Sequence, residues 1–364
     1  MQHFNWISES IVGAGTAFIA ASALIPMLNG PAQRIGLTDN PCHRKRHFGS
    51  VPLTGGLAMF LALALAMIVK GNNLVDYSSL LAGMTVLLIL GMVDDRHDLR
   101  ASLKLLVQIG VAAMAVLWGG MELTYLGAIL GPAYGPVGLG PFSVPFSIAC
   151  IVFLINVVNM ADGVDGLAGG IGFLFFAGLA VIAWLGGAPP SLITVSITMA
   201  AATAGFLVWN MRFPFRDRAS VFMGDAGSMM LGFAAAWLAI AVATHGGRDS
   251  VYPVSVAWLL LIPAMDTVAL TFRRISQGKS PMAPDRSHLH HLLSRSGFSV
   301  TATVGLIHLA VVITGLGGIA GWMLGLPEWL MFAVAAAAFV GYTLLLLNAH
   351  RLLRWRLRLR RRQA

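Results

Sequence analysis

Long apolar runs alternate with short polar breaks along the whole chain, and the runs show no period-two alternation. Taken as helices they cover roughly 8–28, 53–70, 78–93, 103–119, 141–158, 167–186, 191–209, 227–245, 252–272, 300–322 and 328–348. A helix needs about 20 apolar residues to cross a bilayer. Backbone groups in hydrocarbon must be satisfied within the segment, so runs of this length span as helices; barrel strands would be shorter and alternating. The pattern predicts an all-α polytopic membrane protein with about eleven transmembrane helices. It has one integral-membrane domain over 1–350 and a basic tail over 351–364. Ala21-Ser22-Ala23 resembles a leader cleavage site, but Met1–Ser10 carries no Lys or Arg. A secretory leader starts with positive charge, so the first run is read as a retained helix.

An odd number of spans puts the termini on opposite sides, and basic loops choose the sides. Loops 29–52, 94–104, 210–226 and 273–299, with the tail from Arg351, hold 22 of the 24 Lys and Arg. All of them face one side under this assignment; only Lys70 and Arg248 fall on the other. The basic side is therefore expected to be cytoplasmic, with the amino terminus outside and the carboxyl terminus inside. Topology and attraction to anionic lipid account for the net charge of +9; no nucleic-acid partner is needed. Hydrophobic residues make up 57% of the chain and charged residues 11%, against about 25% charged in soluble domains. That excludes a sizeable soluble domain. Cys42 lies in a polar loop and Cys150 in an apolar run, so no disulfide framework is expected.

Four polar stretches interrupt this background. They are Asp94-Asp95-Arg96-His97-Asp98, Asn156-Val157-Val158-Asn159-Met160-Ala161-Asp162-Gly163-Val164-Asp165-Gly166, Phe222-Met223-Gly224-Asp225-Ala226-Gly227-Ser228, and Pro284-Asp285-Arg286-Ser287-His288-Leu289-His290-His291. The chain has 15 acids, and six sit in the first three stretches. All four stretches fall on the basic side, a result that the orientation did not assume.

On a continued helix Asp94 and Asp98 would share a face, and like charges so placed call for a cation. The plain alternative is a solvated helix end paired with Arg96 and Arg100. Asn156 and Asn159 begin deep in an apolar run, where polar groups usually have a function. Gly163 and Gly166 let backbone approach a ligand, and Asp162 and Asp165 can accept hydrogen bonds or bind metal; a polar cap joining two spans is the alternative. Glycines beside a helix start suit an anion, with Asp225 a natural metal ligand. Phe222 offers a stacking face, although a lone Phe more often packs in a core or against lipid. In the last stretch no cysteine joins the histidines, so a grip on phosphate and sugar through Arg286 fits better than zinc. Asp266, inside the ninth run, is read as a structural pairing residue rather than a transport relay.

With these residues in view, the chain resembles the polyprenyl-phosphate N-acetylhexosamine-1-phosphate transferases. Within them it is most similar to bacterial undecaprenyl-phosphate GlcNAc-1-phosphate transferases. The match runs from Arg44-Lys45-Arg46-His47, with Pro52 and Gly55-Gly56, to the histidine loop. The resemblance implies that undecaprenyl phosphate and UDP-GlcNAc give undecaprenyl-diphospho-GlcNAc and UMP, with Mg2+ (or Mn2+) required. It implies Asp94, Asp95 and Asp225 at the metal and diphosphate, Asn159 beside them, and Asp98 as a base or orienting group at the lipid phosphate. Asp162 and His288 join the catalytic set. Gly163, Asp165 and Phe222 correspond to uracil-holding positions, Arg286, His290 and His291 to the diphosphate and sugar loop, and Arg44, Lys45, Arg46 and His47 to a basic stretch near the nucleotide. The histidine loop lacks the three consecutive histidines of the peptidoglycan translocase. That favours GlcNAc over the MurNAc-pentapeptide donor but leaves FucNAc, QuiNAc and GalNAc open. Likeness to relatives also allows a homodimer.

Two other readings compete. An intramembrane prenyltransferase would show two comparable Asp-rich helices, which the second motif does not match. A nucleotide-sugar or ion transporter would hold its carboxylates near the bilayer midplane, whereas here they gather at one surface, with only Asp266 inside.

Overall fold

The computed structural model describes residues 2–39, 49–71, 74–246, 251–280 and 287–363, the side chains of 2–5 and 349–363 excepted. Among the described residues the regular structure is almost all helix. In order come α1 (Gln2–Arg34), a two-residue strand β1 (Thr38–Asp39), its antiparallel partner β2 (Val51–Pro52), α2 (Gly55–Val69), α3 (Ser78–His97) and α4 (Ala101–Leu117). Then follow α5 (Ser143–Ala161), α6 (Leu167–Leu185), α7 (Pro190–Asn210), α8 (Gly224–Thr244), α9 (Pro253–Trp258), α10 (Leu261–Ser276), α11 (Leu289–Arg295), α12 (Val300–Met323) and α13 (Glu328–Gln363). Pro190 and Pro253 each open a helix, where the missing proline N–H costs nothing.

Among the described residues eight helices are long and apolar enough to cross a membrane: α1, α3 with the turn before it, α5, α6, α7, α8, α12 and α13. The apolar helices α2 and α4 are shorter, at 15 and 17 residues. The expected run 252–272 is not one helix: it breaks into α9 and α10 at Leu259 and Leu260. The cause is Pro263, which has no N–H for the Leu259 carbonyl and crowds it with its ring. The chain is an all-α, multi-pass membrane protein.

Helix α8 runs through the middle. Its most apolar stretch is 94% buried, against 17% for that of α13, so α8 is the axis and α13 a peripheral helix. It packs against α3, α5, α2 and α6. Small residues set the spacing, since lipid gives no hydrophobic drive between helices and close backbone approach replaces it. Gly91 of α3 faces the backbone of Ala226, Gly56 of α2 faces Gly227, and Gly83 lies under the Phe233 ring. These contacts draw the first turn of α8 against the last turn of α3. The acidic motifs stand at that meeting point.

Candidate active site

The end of α3 carries Asp94 and Asp95 into contact with the start of α8. Gly224 adopts φ +71°, a left-handed turn that favours glycine, and a Cβ there would stand 2.4 Å from an Asp95 carboxylate oxygen. Asp95 accepts the backbone N–H of Asp225 at 2.8 Å and of Ala226 at 3.3 Å. Its negative charge thus caps the positive end of α8. Expected among metal ligands, Asp95 has both oxygens on helix N–H groups.

Asp94 is buried and takes the Leu99 N–H at 2.7 Å. Its other oxygen faces Lys104 Nζ at 2.6 Å, and the same ammonium lies 3.1 Å from Asp225. Asn159 Nδ2 donates to the second Asp225 oxygen at 3.1 Å and to Ser228 Oγ at 2.9 Å. Four helices (α3, α4, α5 and α8) therefore gather two carboxylates around one cation. No group of three or more His, Cys, Asp or Glu among the described residues is arranged to hold a metal by itself. A magnesium ion typically takes one or two carboxylates and completes its shell with substrate phosphate and water, and the Asp94–Asp225 pair fits that donor set.

Asp98 does not share a face with Asp94. The helix stops at His97, and Asp98 turns left-handed at φ 48° as its N–H caps the Asp94 carbonyl at 2.8 Å. Aspartate tolerates this conformation better than most residues, and its side chain is left exposed beyond the ring of helices.

The glycine turn after α5 lies between this cluster and the histidines. Asp162 ends the helix. The residue opens to solvent, and its surroundings, the charges of Asp225, Asp95 and Asp165 among them, raise its carboxyl above the usual carboxylate range. Asp165 is paired with Arg212 at 2.8 Å and takes the Ala219 N–H at 3.0 Å. Asn210 takes the Gly166 N–H at 2.8 Å and donates to the Val221 carbonyl at 2.9 Å. These bonds clasp the glycine turn to the strand-like segment leading to Asp225. Phe222 packs against the Ala32, Leu37 and Leu53 cluster and stays partly exposed.

His288 and His290 are buried. Gly163 lets His290 in, since a Cβ at Gly163 would stand 2.7 Å from His290 Nε2. His291 lies 4.2 Å from His290, centroid to centroid. Burial first, then the neighbouring His291 and His288, hold His290 down at about 3. Arg44, Lys45, Arg46, His47 and Arg286 lie outside the described residues.

Sequence reasoning passed over several residues of this region. From sequence, Lys104 reads only as a topological charge. Its signal was a polar residue at i, i+4 from Gln108 on an otherwise apolar helix. Gln108 is buried and accepts from Asn156 at 2.8 Å. Asn210 and Arg274 stand at the ends of apolar helices, where a polar residue is too ordinary to flag.

Paired carboxylates, a lone ammonium and a glycine turn, all at helix ends of a multi-pass membrane protein, define a phosphoryl-transfer type of site. Residues 77–243 match the model of glycosyl transferase family 4. The chain belongs to this family and to its polyprenyl-phosphate N-acetylhexosamine-1-phosphate branch, and it is a glycosyl-1-phosphate transferase. Among its relatives, the undecaprenyl-phosphate alpha-N-acetylglucosaminyl 1-phosphate transferase of Yersinia pestis is 35% identical, covering 95% of this chain and 93% of the relative. The proteins of that name from Salmonella typhi and Escherichia coli K12 are also 35% identical, covering 95% and 91% of this chain and 93% and 89% of the relatives.

Proposed function

We propose that the enzyme transfers GlcNAc-1-phosphate from UDP-GlcNAc to undecaprenyl phosphate. The products are UMP and undecaprenyl-diphospho-GlcNAc, the first lipid-linked step of a cell-envelope glycan. The observation carrying this reading is the single ammonium of Lys104 between Asp94 and Asp225 at the junction of four helices. A hard-cation site of that kind suits a reaction in which two phosphate anions must meet. A lipid-phosphate oxygen attacks the sugar-proximal phosphorus. The new O–P bond forms as the bond to the UMP phosphate breaks, and UMP leaves with the bridging oxygen. Magnesium, when bound, supplies neutralisation of the charge that builds on these oxygens.

Asp94 and Asp225 are the residues to hold that ion, with Asn159 orienting Asp225. Asp95 keeps the α8 terminus in place. Asp162, close to both loops, faces the reacting phosphates. Gly163, Asp165 and Phe222 border the uridine. His288, His290 and His291, with Arg286, close over diphosphate and sugar, and Arg44, Lys45, Arg46 and His47 approach the nucleotide. Asp98 faces the lipid phosphate from outside the ring. Counting α2, α4 and the broken α9–α10 as crossings gives eleven, and the Lys and Arg bias of the loops supports a site on the cytoplasmic face of the bacterial inner membrane with the amino terminus outside; a homodimer is compatible with this topology. Donors with FucNAc, QuiNAc or GalNAc remain the second reading, since identity to the acetylglucosaminyl relatives is 35%.

Purified protein given UDP-GlcNAc, undecaprenyl phosphate and magnesium is expected to release UMP, and Asp225→Asn to abolish it. UMP release without the lipid, or none with it, counts against the reaction. Preference for another UDP-sugar in direct competition counts against the donor alone.

A further inference from the structure

Asp266 stands on α10, away from the carboxylate ring, and the reaction above gives it no task. Its surroundings are nonetheless built for one. Oδ2 accepts from His288 Nδ1 at 2.8 Å, and Oδ1 accepts the Leu289 N–H at 3.1 Å and the Tyr342 hydroxyl. Donors from α11, α13 and the residue preceding α11 thus converge on one carboxylate of α10. Across the imidazole, His288 Nε2 lies 3.5 Å from a guanidinium nitrogen of Arg274. A guanidinium only donates. Nε2 is therefore the acceptor, and the ring hydrogen sits on Nδ1, where Asp266 takes it. Partners on both nitrogens fix the tautomer and the plane of the ring.

That plane is passed on. The His288 ring lies nearly parallel to His290, 11° apart with centroids at 5.7 Å. His290 in turn abuts Gly163, beside Asp162. A continuous line of contacts runs from Tyr342 through Asp266, His288 and His290 to the glycine turn.

We propose that Asp266 is a positioning residue for the transfer reaction: through His288 it sets the histidine face that borders the Asp162–Gly166 turn, and Tyr342 braces it from α13. This inference rests on the transferase reading above. A carboxylate that only stabilised the helix packing would act on folding and not through one imidazole.

The test uses full-length protein with UDP-GlcNAc, undecaprenyl phosphate and magnesium. Asp266→Asn is expected to lower kcat about 10- to 100-fold, the range seen when the carboxylate partner of a metal-bound histidine is removed, taken here by analogy for a carboxylate that holds an imidazole. Asp266→Glu should restore part of it, and the melting midpoint should hold. In a double-mutant cycle, Asp266→Asn combined with His288→Gln should be no slower than His288→Gln alone. Nitrogen-15 spectra of the histidines should show the Nδ1-protonated form of His288 in the wild type and its loss in Asp266→Asn. Wild-type kcat in Asp266→Asn, losses that multiply in the double variant, or an unchanged tautomer would overturn the proposal. Should Asp266→Asn fail to fold, Tyr342→Phe decides in its place. A loss that disappears in the His288→Gln background supports the role; no loss, or the same loss in both backgrounds, overturns it. Wild-type protein that releases no UMP strikes the transferase reading itself, a result distinct from an active enzyme indifferent to Asp266.

Discussion

Replacing Gly91 by Ala tests whether the α3–α8 contact sets the spacing of the acidic cluster. A Cβ at position 91 would lie 2.1 Å from Ala226 Cα, 2.2 Å from Ala226 N and 2.6 Å from the Asp225 carbonyl carbon. Ordinary contact begins at 3.4 Å, so something must retreat by about 1.3 Å, and every near atom is backbone. No side chain can rotate away. The retreat carries Asp225 and Ala226 off the Asp95 oxygens that hold their N–H groups at 2.8 and 3.3 Å. It also moves Asp225 relative to Lys104. Overpacking of this kind costs about 1–3 kcal/mol, and a shift of about 1 Å at a reacting centre costs roughly 100-fold in rate. Gly91→Ala is therefore expected to cut UMP release about 100-fold and to lower the melting midpoint in detergent. Gly110→Ala, with nothing within 4 Å of the new methyl, is the control: turnover should stay unchanged, and the melting midpoint should hold or rise, since alanine favours a helix interior over glycine. Wild-type turnover and stability in Gly91→Ala would refute the argument that this contact positions Asp225.

Lys104→Gln leaves Asp94 and Asp225 facing each other without their ammonium; the magnesium concentration for half-maximal thermal stabilisation should fall roughly tenfold, about 1.4 kcal/mol, and an unchanged or weaker response counts against a shared cation position. Asn210→Ala strips partners from the Gly166 N–H and the Val221 carbonyl, at about 1–3 kcal/mol for each buried group left bare. A lowered melting midpoint and a larger rise in KM for the UDP-sugar than for the lipid are expected, and equal rises would argue that the clasp does not shape the nucleotide side. His290, held at about 3 against about 6.5 in the unfolded chain, binds a proton only after unfolding between those values. Stability contributed by this neutral imidazole is full above about 6.5 and is lost as pH falls toward 3. His290→Gln should flatten the dependence of the melting midpoint on pH between about 6.5 and 4; an equal slope in both proteins would show that other groups set it.

Much of the site was legible because chemistry in this chain is rare. Carboxylates stand out in apolar sequence, and Asp94, Asp95, Asp162 and Asp225 needed no structure to be noticed. What could not be read was which partner each one takes. Asp98 follows Asp94 at helical spacing, yet the helix ends one residue before it. Asp95 is as acidic as Asp94 but spends both oxygens on α8. Lys104 looked like one more topological charge. The run 252–272 looked continuous, and one proline at 263 broke it.

The sequence by itself determined that the chain is a helical membrane protein with the acids of its first three polar stretches at or beside helix ends. Hydrocarbon tolerates neither open backbone groups nor unpaired charge, so that constraint is written residue by residue. Only the tertiary structure decided that Lys104 would bridge Asp94 and Asp225, that Asp95 would cap α8, and that Asp266 would hold His288. Those pairings depend on how closely helices approach, and glycines such as Gly56, Gly91 and Gly163 set that distance only once their opposite neighbours are known.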